Sequence, residues 1–379
     1  MTGAPVMDAC DACTRRSWLV ARLAGHLERK RAERDVIRDV LGLPDDALIA
    51  ALGGLLAGPI TAEYERVAPD DVRAGWAAAG GHALCRHADR HPAGLHDLSD
   101  APAVLHVRGD LERLRILTAS PSVAIVGARK ASDEGRQTAR SIGRGLSAAG
   151  VTVVSGMAFG IDSAAHDGAL DAGANTVAVL ACGPEIPYPR SRAGLHRTIA
   201  RHAAVVSELP PGTAPYRWAF PARNRIIAAL AGLVVIVEAA ERSGSLITAD
   251  IAMDLGRDVG AVPGSPLSWR CAGTNQLLRD GATVIRDAVD VLDGLATGPA
   301  ADPPGAGGAA GARAPRRPPP GLPADLAALL DAVERGEGTV DAHAATAAEA
   351  RAVLGRLTEL ELLGLIQRRP GGRYAPVAR

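Results

Sequence analysis

The sequence predicts an α/β fold: an extended Rossmann-like parallel sheet, preceded by a helical segment and followed by a winged helix. Three observations predict it. Short apolar runs rich in valine and isoleucine recur between residues 103 and 285 without alternating with polar residues, as strands buried on both faces do. Helical stretches such as 136–149 and 161–172 separate them, and strand alternating with helix builds a parallel sheet with helices on both sides. A Gly/Ala/Pro/Arg stretch at 297–320 cannot form a core, and it sets apart a final segment of helices followed by a hairpin.

Taken in order, residues 1–85 read as helical. Leu19, Leu23 and Leu27, then Val36, Ile37, Val40 and Leu41, recur at helical spacing. Gly42 and Pro44, Gly53-Gly54 and Gly58-Pro59 punctuate the run. The strand candidates are 103–107, 123–126, 151–154, 176–180, 204–206, 233–237, 259–262 and 283–285, which places the sheet domain at 86–296. Within 321–379, Leu322, Leu326, Leu329, Leu330 and Val333 share a helix face. A second helix near Ala347 and a third over 350–362 follow, and Pro370-Gly371-Gly372 joins strands at 364–368 and 373–375.

Composition narrows the function. The chain of 379 residues is 47% hydrophobic, which fits a soluble globular protein. No apolar run in sequence approaches the roughly 20 residues a membrane helix needs, and no basic segment leads into an apolar one at the start; a cytoplasmic protein is expected, with no membrane partner. Lys+Arg and Asp+Glu both number 42, so the formal net charge is zero. A nucleic-acid binder with that balance must concentrate its positive charge in one place. Only Lys30 and Lys130 are lysines, so phosphate contacts fall to guanidinium groups, whose planar fork suits them. The five cysteines do not read as a disulfide framework. Cys10 and Cys13 form a C-x-x-C without a second pair or nearby histidines; the expectation is an incidental pair in a loose N-terminus, with no metal and no cofactor.

The candidate chemistry lies at the strand ends, where doubly wound sheets bind ligands. The first strand of the core ends in Gly127-Ala128-Arg129, with Gly127 allowing close approach and Arg129 directed into the crevice. G-x-G-x-x-G is absent there, which argues against a nicotinamide cofactor. Ser155, Gly156 and Gly160 form a polar turn into a helix, where free backbone N–H groups attract phosphate. On that helix Asp162 and His166 read either as an acid/base pair or as a turn charge and a structural histidine; the second is favoured. Tyr188-Pro189-Arg190 follows the next strand. Tyr216 to Arg225 interleaves aromatic and basic residues, Arg217, Phe220, Arg223, Asn224 and Arg225 among them, as single-strand binding requires; a core role for Trp218 and Phe220 stays open. Ser243-Gly244-Ser245, with Thr248, is a further phosphate-suited turn. A serine nucleophile is disfavoured there, because no G-x-S-x-G motif and no neighbouring histidine accompany it.

Together these segments resemble the DprA/Smf family. The resemblance rests on Val126 to Arg129, Ser155 to Asp162 with His166, Tyr188 to Arg190, Ser207-Glu208, Phe220 to Ala228, Ser243 to Thr248, Val262 to Gly264 and Gly273 to Leu278. It covers about residues 86 to 292, and the C-terminal segment is similar to the family's winged helix. The resemblance implies a domain that binds single-stranded DNA in a basic pocket, with the pocket positions falling on Arg129, Arg190 and Arg217. It implies a SAM-like helical module at 1–85, a homodimer formed around Asn275, Leu277 and Leu278, and RecA as the partner loaded onto incoming DNA during natural transformation. The implied protein is a binder rather than an enzyme. Two positions depart from the family: Ala128 where serine is usual, which removes a hydroxyl available to phosphate, and Arg192 where asparagine is usual, which adds charge.

Two other functions fit the same fold class, because fold alone does not decide function. A nucleotide or nucleoside-phosphate hydrolase would poise a carboxylate, Asp162, Glu208 or Glu238, over its substrate. A duplex-reading regulator would use Arg368, Arg369 and Arg373 in the wing, although Glu349, Glu359 and Glu361 suit groove entry poorly.

Overall fold

The computed structural model describes residues 4–30, 40–297, 322–334, 347–363, 365–369 and 373–376. It divides into two compact units, Met1–Ala301 and Asp302–Arg379. The stretch expected to link them lies, beyond Thr297, outside the described residues, as do Val36 and Ile37.

The first unit is built on a ten-stranded sheet. Its strands are β1 (Met7–Asp8), β2 (His82–Cys85), β3 (Val104–Gly109), β4 (Ser122–Val126), β5 (Thr152–Ser155), β6 (Thr176–Leu180), β7 (Ala204–Ser207), β8 (Leu233–Ile236), β9 (Asp258–Ala261) and β10 (Thr283–Val284). They lie in the order β1-β2-β3-β7-β6-β5-β4-β8-β9-β10. β3 runs antiparallel to both its neighbours, and every other pair is parallel. The chain therefore steps outward from β4 to β7, then returns to lay β8 on the other side of β4. The strand order reverses there, and such a reversal opens a crevice beyond the carboxyl ends of the two strands.

All eight apolar runs are strands, but β1 and β2 carry no such run. Each is short, and the sequence of β2, His-Ala-Leu-Cys, holds no β-branched residue. The central strands are covered on both faces. Val123 and Ile125 of β4 pack with Ile142 and Leu146 of one helix layer, whereas Ala124 and Val126 share the opposite core with Ile226 and Ile227. Side chains alternate across a strand, so burial of both sets removes the polar alternation.

Among the described residues, five helices precede the core: α1 (Asp11–Arg22), α2 (Ala24–Lys30), α3 (Asp45–Gly53), α4 (Ala57–Arg66) and α5 (Pro69–Ala78). Leu19, Leu23 and Leu27 are fully buried against Leu48, Ile49 and Ile60. The same cluster includes Trp218, Ala219 and Ala222, so these helices brace the segment that carries the aromatic and basic residues. The stretch Asp45–Arg66 is, by length and composition, apolar enough to cross a membrane, contrary to the sequence expectation. A 3₁₀ turn at Gly54–Leu56 interrupts it, and Leu48, Ile49, Leu52 and Ile60 face the core.

The remaining helices of this unit are α6 (Leu111–Ala119), α7 (Asp133–Ala148), α8 (Ile161–Leu170), α9 (Ala193–His202), α10 (Ala219–Ala229), α11 (Leu246–Asp254), α12 (Ala272–Arg279) and α13 (Ala288–Thr297). The second unit contains α14 (Ala324–Glu334), α15 (Ala347–Leu362) and the antiparallel hairpin β11 (Ile366–Arg369) and β12 (Arg373–Pro376). Leu326, Leu330, Val333, Leu357, Leu360, Ile366 and Tyr374 form its core. One continuous helix stands where two were expected, at 347 and 350–362; no proline breaks the stretch. The turn expected at Pro370-Gly371-Gly372 lies outside the described residues.

Arg225, expected to contact DNA, is instead a strut of the fold. Its guanidinium is fully buried and pairs with Asp100 at 2.9 Å and Glu208 at 2.7 Å. It also donates to the carbonyls of Asp100 and Ala222. α10 is thereby fastened to the segment before β3 and to the end of β7. Removing one partner of a buried, hydrogen-bonded ion pair leaves the others uncompensated. Arg225→Ala is expected to lower the unfolding free energy by about 3–5 kcal/mol in urea titrations, whereas exposed Arg129→Ala should change it by less than about 0.5 kcal/mol.

Two buried histidines set an acid limit on stability. His106 contacts Ser17 Oγ at 2.9 Å and lies edge-on to Trp76, and His166 Nδ1 contacts Thr176 Oγ1 at 2.7 Å. Burial pushes both imidazoles down to about 3. An unfolded chain takes up these protons near pH 6.5 and the folded one does not, so their contribution is whole above pH 6.5 and is lost as pH falls toward 3. The urea midpoint is expected to fall between pH 6.5 and pH 5, at up to about 1.4 kcal/mol per pH unit for each histidine. His106→Gln should flatten that slope relative to the parent chain.

Candidate nucleic-acid interface

A cleft of about 900 Å³ opens where the strand order reverses, between the ends of β4 and β8. Val126, Gly127 and Arg129 line it from the β4 side, and Arg242, Ser243, Gly244, Ser245 and Thr248 from the β8 side. Ala158 and Asp162 come from the turn and helix after β5, Tyr188 from the loop after β6, and Arg217, Phe220, Arg223 and Asn224 from the start of α10. Ten of the residues read as DNA contacts from sequence therefore meet in one place: Gly127, Arg129, Arg217, Phe220, Arg223, Asn224, Ser243, Gly244, Ser245 and Thr248.

Arg223 forms the floor. It is buried, and its Nη1 donates to the carbonyl of Gly156 at 2.8 Å and to that of Val179. Gly156 does not line the cleft. A Cβ there would stand 2.4 Å from the Arg223 guanidinium, so its absence makes room for this cation. Burial lowers the guanidinium to about 10, against the attraction of Asp162, and Arg223 stays charged at neutral pH. Burial raises the Asp162 carboxyl above its ordinary range, while Arg223, the Ala158 N–H and Arg129 favour its charged form.

The walls carry the exposed charge. The Arg129 guanidinium sits 4.8 Å above the Phe220 ring, and Phe220 lies 5.3 Å from Tyr188. A cation over an aromatic face is attracted by the ring quadrupole, which holds Arg129 at the rim. Asn224 Nδ2 donates to the Gly244 carbonyl at 3.2 Å, and Ser243 Oγ meets Ser245 Oγ at 2.7 Å, so α10 and the serine turn are joined. Arg129, Arg217 and Arg242 are exposed, and none makes an ion pair among the described residues. Arg242 was not expected from sequence; its only signal is its place just before the Ser-Gly-Ser turn.

The other expected residues stand elsewhere. Ser155 is buried and donates to the Ile125 carbonyl at 2.6 Å, bracing β5 on β4. Gly160 adopts a φ of +78°, and a Cβ there would lie 2.2 Å from the Ala128 carbonyl oxygen; it shapes the turn beneath the cleft. Arg190 is exposed on a 3₁₀ turn and is not among the lining residues. Trp218 is core: its indole donates to the Ala24 carbonyl at 3.0 Å. Asn275 turns inward, bonded to both backbone polar groups of Gly264. Leu277 packs against the core, and Leu278 is half-buried.

The carboxylates that a hydrolase would need have other tasks. Glu208 holds Arg225. Glu238 accepts from the Ser132 N–H and hydroxyl at the start of α7. His166 is fully buried beside Thr176, so it is not available to Asp162 as an acid/base partner in the cleft.

Comparison with known proteins agrees with this geometry. A family model described as DNA recombination-mediator protein A matches residues 82–296, and one described as the DprA winged helix domain matches 313–372. The DNA processing protein DprA of Streptococcus pneumoniae is 42% identical over 204 residues, 54% of this chain and 71% of that protein. The crystal structure of DprA from the same species aligns at a TM-score of 0.60 with 32% identity, over 76% of this chain and 98% of that one. DNA processing protein A of Helicobacter pylori, studied for its single-stranded DNA binding mode, aligns at 0.50 with 29% identity, over 54% and 92%. With a sheet region and a winged helix that both match, the chain belongs to the DprA/Smf family of DNA recombination mediators.

Proposed function

We propose that this chain binds single-stranded DNA in the cleft at the β4–β8 reversal and acts there as a mediator, without catalysing a reaction. One observation carries the reading. Among the described residues, the charged lining of the cleft is Arg129, Arg217, Arg223 and Arg242 against Asp162 alone, so a chain of zero net charge presents a strongly cationic crevice. Phosphates of a flexible strand would engage the exposed guanidiniums and the serine turn. Bases would stack on the rim aromatics Tyr188 and Phe220, and on Phe159, which is 45% exposed beside Ala158. The single-strand binding of the Helicobacter pylori relative points the same way.

The resemblance adds partners and a setting: a cytoplasmic homodimer that shields incoming strands and loads RecA onto them during transformation. For the second protomer, Leu267 and Trp269 in the segment after β9 and Val284 on the edge strand β10 are exposed apolar side chains. The hydrolase reading is the weaker one, since Glu208 and Glu238 are engaged in holding the fold.

Arg129→Glu with Arg217→Glu is expected to weaken binding to a dT oligonucleotide by at least about 100-fold at moderate salt. Arg190→Glu, outside the cleft, should have a much smaller effect. Each lost phosphate contact should also reduce the salt slope by about 0.7. Phe220→Ala should cost about 1–3 kcal/mol of binding while leaving the salt slope unchanged. Fluorescence anisotropy with unlabelled duplex as competitor measures all of these. Undiminished affinity in the double charge reversal would place the DNA elsewhere.

A further inference from the structure

The Cys10-x-x-Cys13 pair is not incidental in the folded chain. Cys10 is the residue before α1, and Cys13 lies in its first turn. β1 ends at Asp8 and pairs in parallel with β2, Asp8 facing Leu84. The two strands therefore leave the sheet side by side. One delivers Cys10 and Cys13, and the other delivers Cys85 and, two residues on, His87. The ligand atoms of these four residues all lie within 4.8 Å of one another. His87 Nδ1 stands 3.5 Å from Cys10 Sγ and 3.4 Å from Cys13 Sγ.

These spacings match the edges of a metal tetrahedron. With Zn–S near 2.3 Å and Zn–N near 2.0–2.1 Å, tetrahedral geometry separates sulfur from nitrogen by about 3.5 Å and sulfur from sulfur by about 3.8 Å. We propose that Cys10, Cys13, Cys85 and His87 form a structural zinc site that fastens the N-terminal helices to the edge of the sheet. Four protein ligands close the coordination sphere and leave no open position for substrate, which is the pattern of a structural site rather than a catalytic one. Three thiolates with a divalent ion leave one net negative charge, and Arg86, between the second pair of ligands, is placed to offset it. The thiolates and the neutral imidazole arise by loss of protons as the ion binds, with no redox change. The site lies away from the DNA cleft and is independent of its assignment.

The test uses the full chain purified under reducing conditions with a tag that contains no histidine. Elemental analysis is expected to find about one zinc per chain. Cys13→Ser and Cys85→Ser should lose most of it, whereas His87→Cys should retain it and Cys182→Ser, remote from the cluster, should leave it unchanged. If the cysteine variants do not fold, the parent chain decides. A mercurial reagent should release one zinc to a chromogenic chelator, and stripping the metal should lower the melting temperature. Cobalt substitution should give the visible absorption of a tetrahedral thiolate site, altered in His87→Cys. A folded, metal-free chain with a Cys10–Cys13 disulfide, or stoichiometric iron in place of zinc, would overturn the proposal.

Discussion

The guanidinium of Arg223 is the fixed point of the cleft. It is held by carbonyls at the carboxyl ends of β5 and β6 and faces Asp162, the first-turn acid of α8. A buried cation must find acceptors or be neutralised, and these carbonyls supply them. In doing so they fix the loops after two strands and the angle at which α10 leaves. Phe220 and Asn224, on the same helix, then fall where they can hold Arg129 at the rim and the serine turn on the far wall. The cleft is organised around a charge that the solvent hardly sees, and the charges that solvent does see are arranged by it.

The balance of charge over the chain has a structural meaning. Several acidic residues are engaged by arginines that hold the fold: Arg16 with Asp45, Arg22 with Glu63, Arg73 with Asp11 and Asp70, Arg225 with Asp100 and Glu208. The exposed pairs among them add little stability singly, unlike the buried Arg225 network, and in each the carboxylate is matched locally by its own guanidinium. Among the described residues, Arg129, Arg217 and Arg242 are left without such partners where the strand order reverses. A neutral protein can in this way present a field of one sign where a polyanion is to be met.

Much of this was legible in the sequence. Uninterrupted apolar runs marked the doubly covered strands, and glycine, serine and arginine at their ends marked the crevice. The failures have physical causes. Arg223 and Arg225 look alike in a basic, aromatic stretch, yet two positions on a helix are about 200° apart, so one faces the cleft and the other its back. Ser155 sits at a strand end, but its hydroxyl returns to the neighbouring strand. Arg190 is basic and correctly spaced, but a loop position carries no direction that sequence can reveal. The cysteine cluster stayed hidden because its halves are more than seventy residues apart. They are joined only by the register of two short strands with little β signature.

The pairing of β1 with β2 has a further implication for how this chain can vary. The opening residues contribute a strand to the same sheet as the mediator core, and α1 to α4 pack on the helix that frames the cleft. Beginning and middle of the polypeptide are thus interleaved in space. A change in the N-terminal helices is therefore felt through Trp218, Ala219 and Ala222 at the wall of the cleft, and the loss of β1 would uncover the edge of β2.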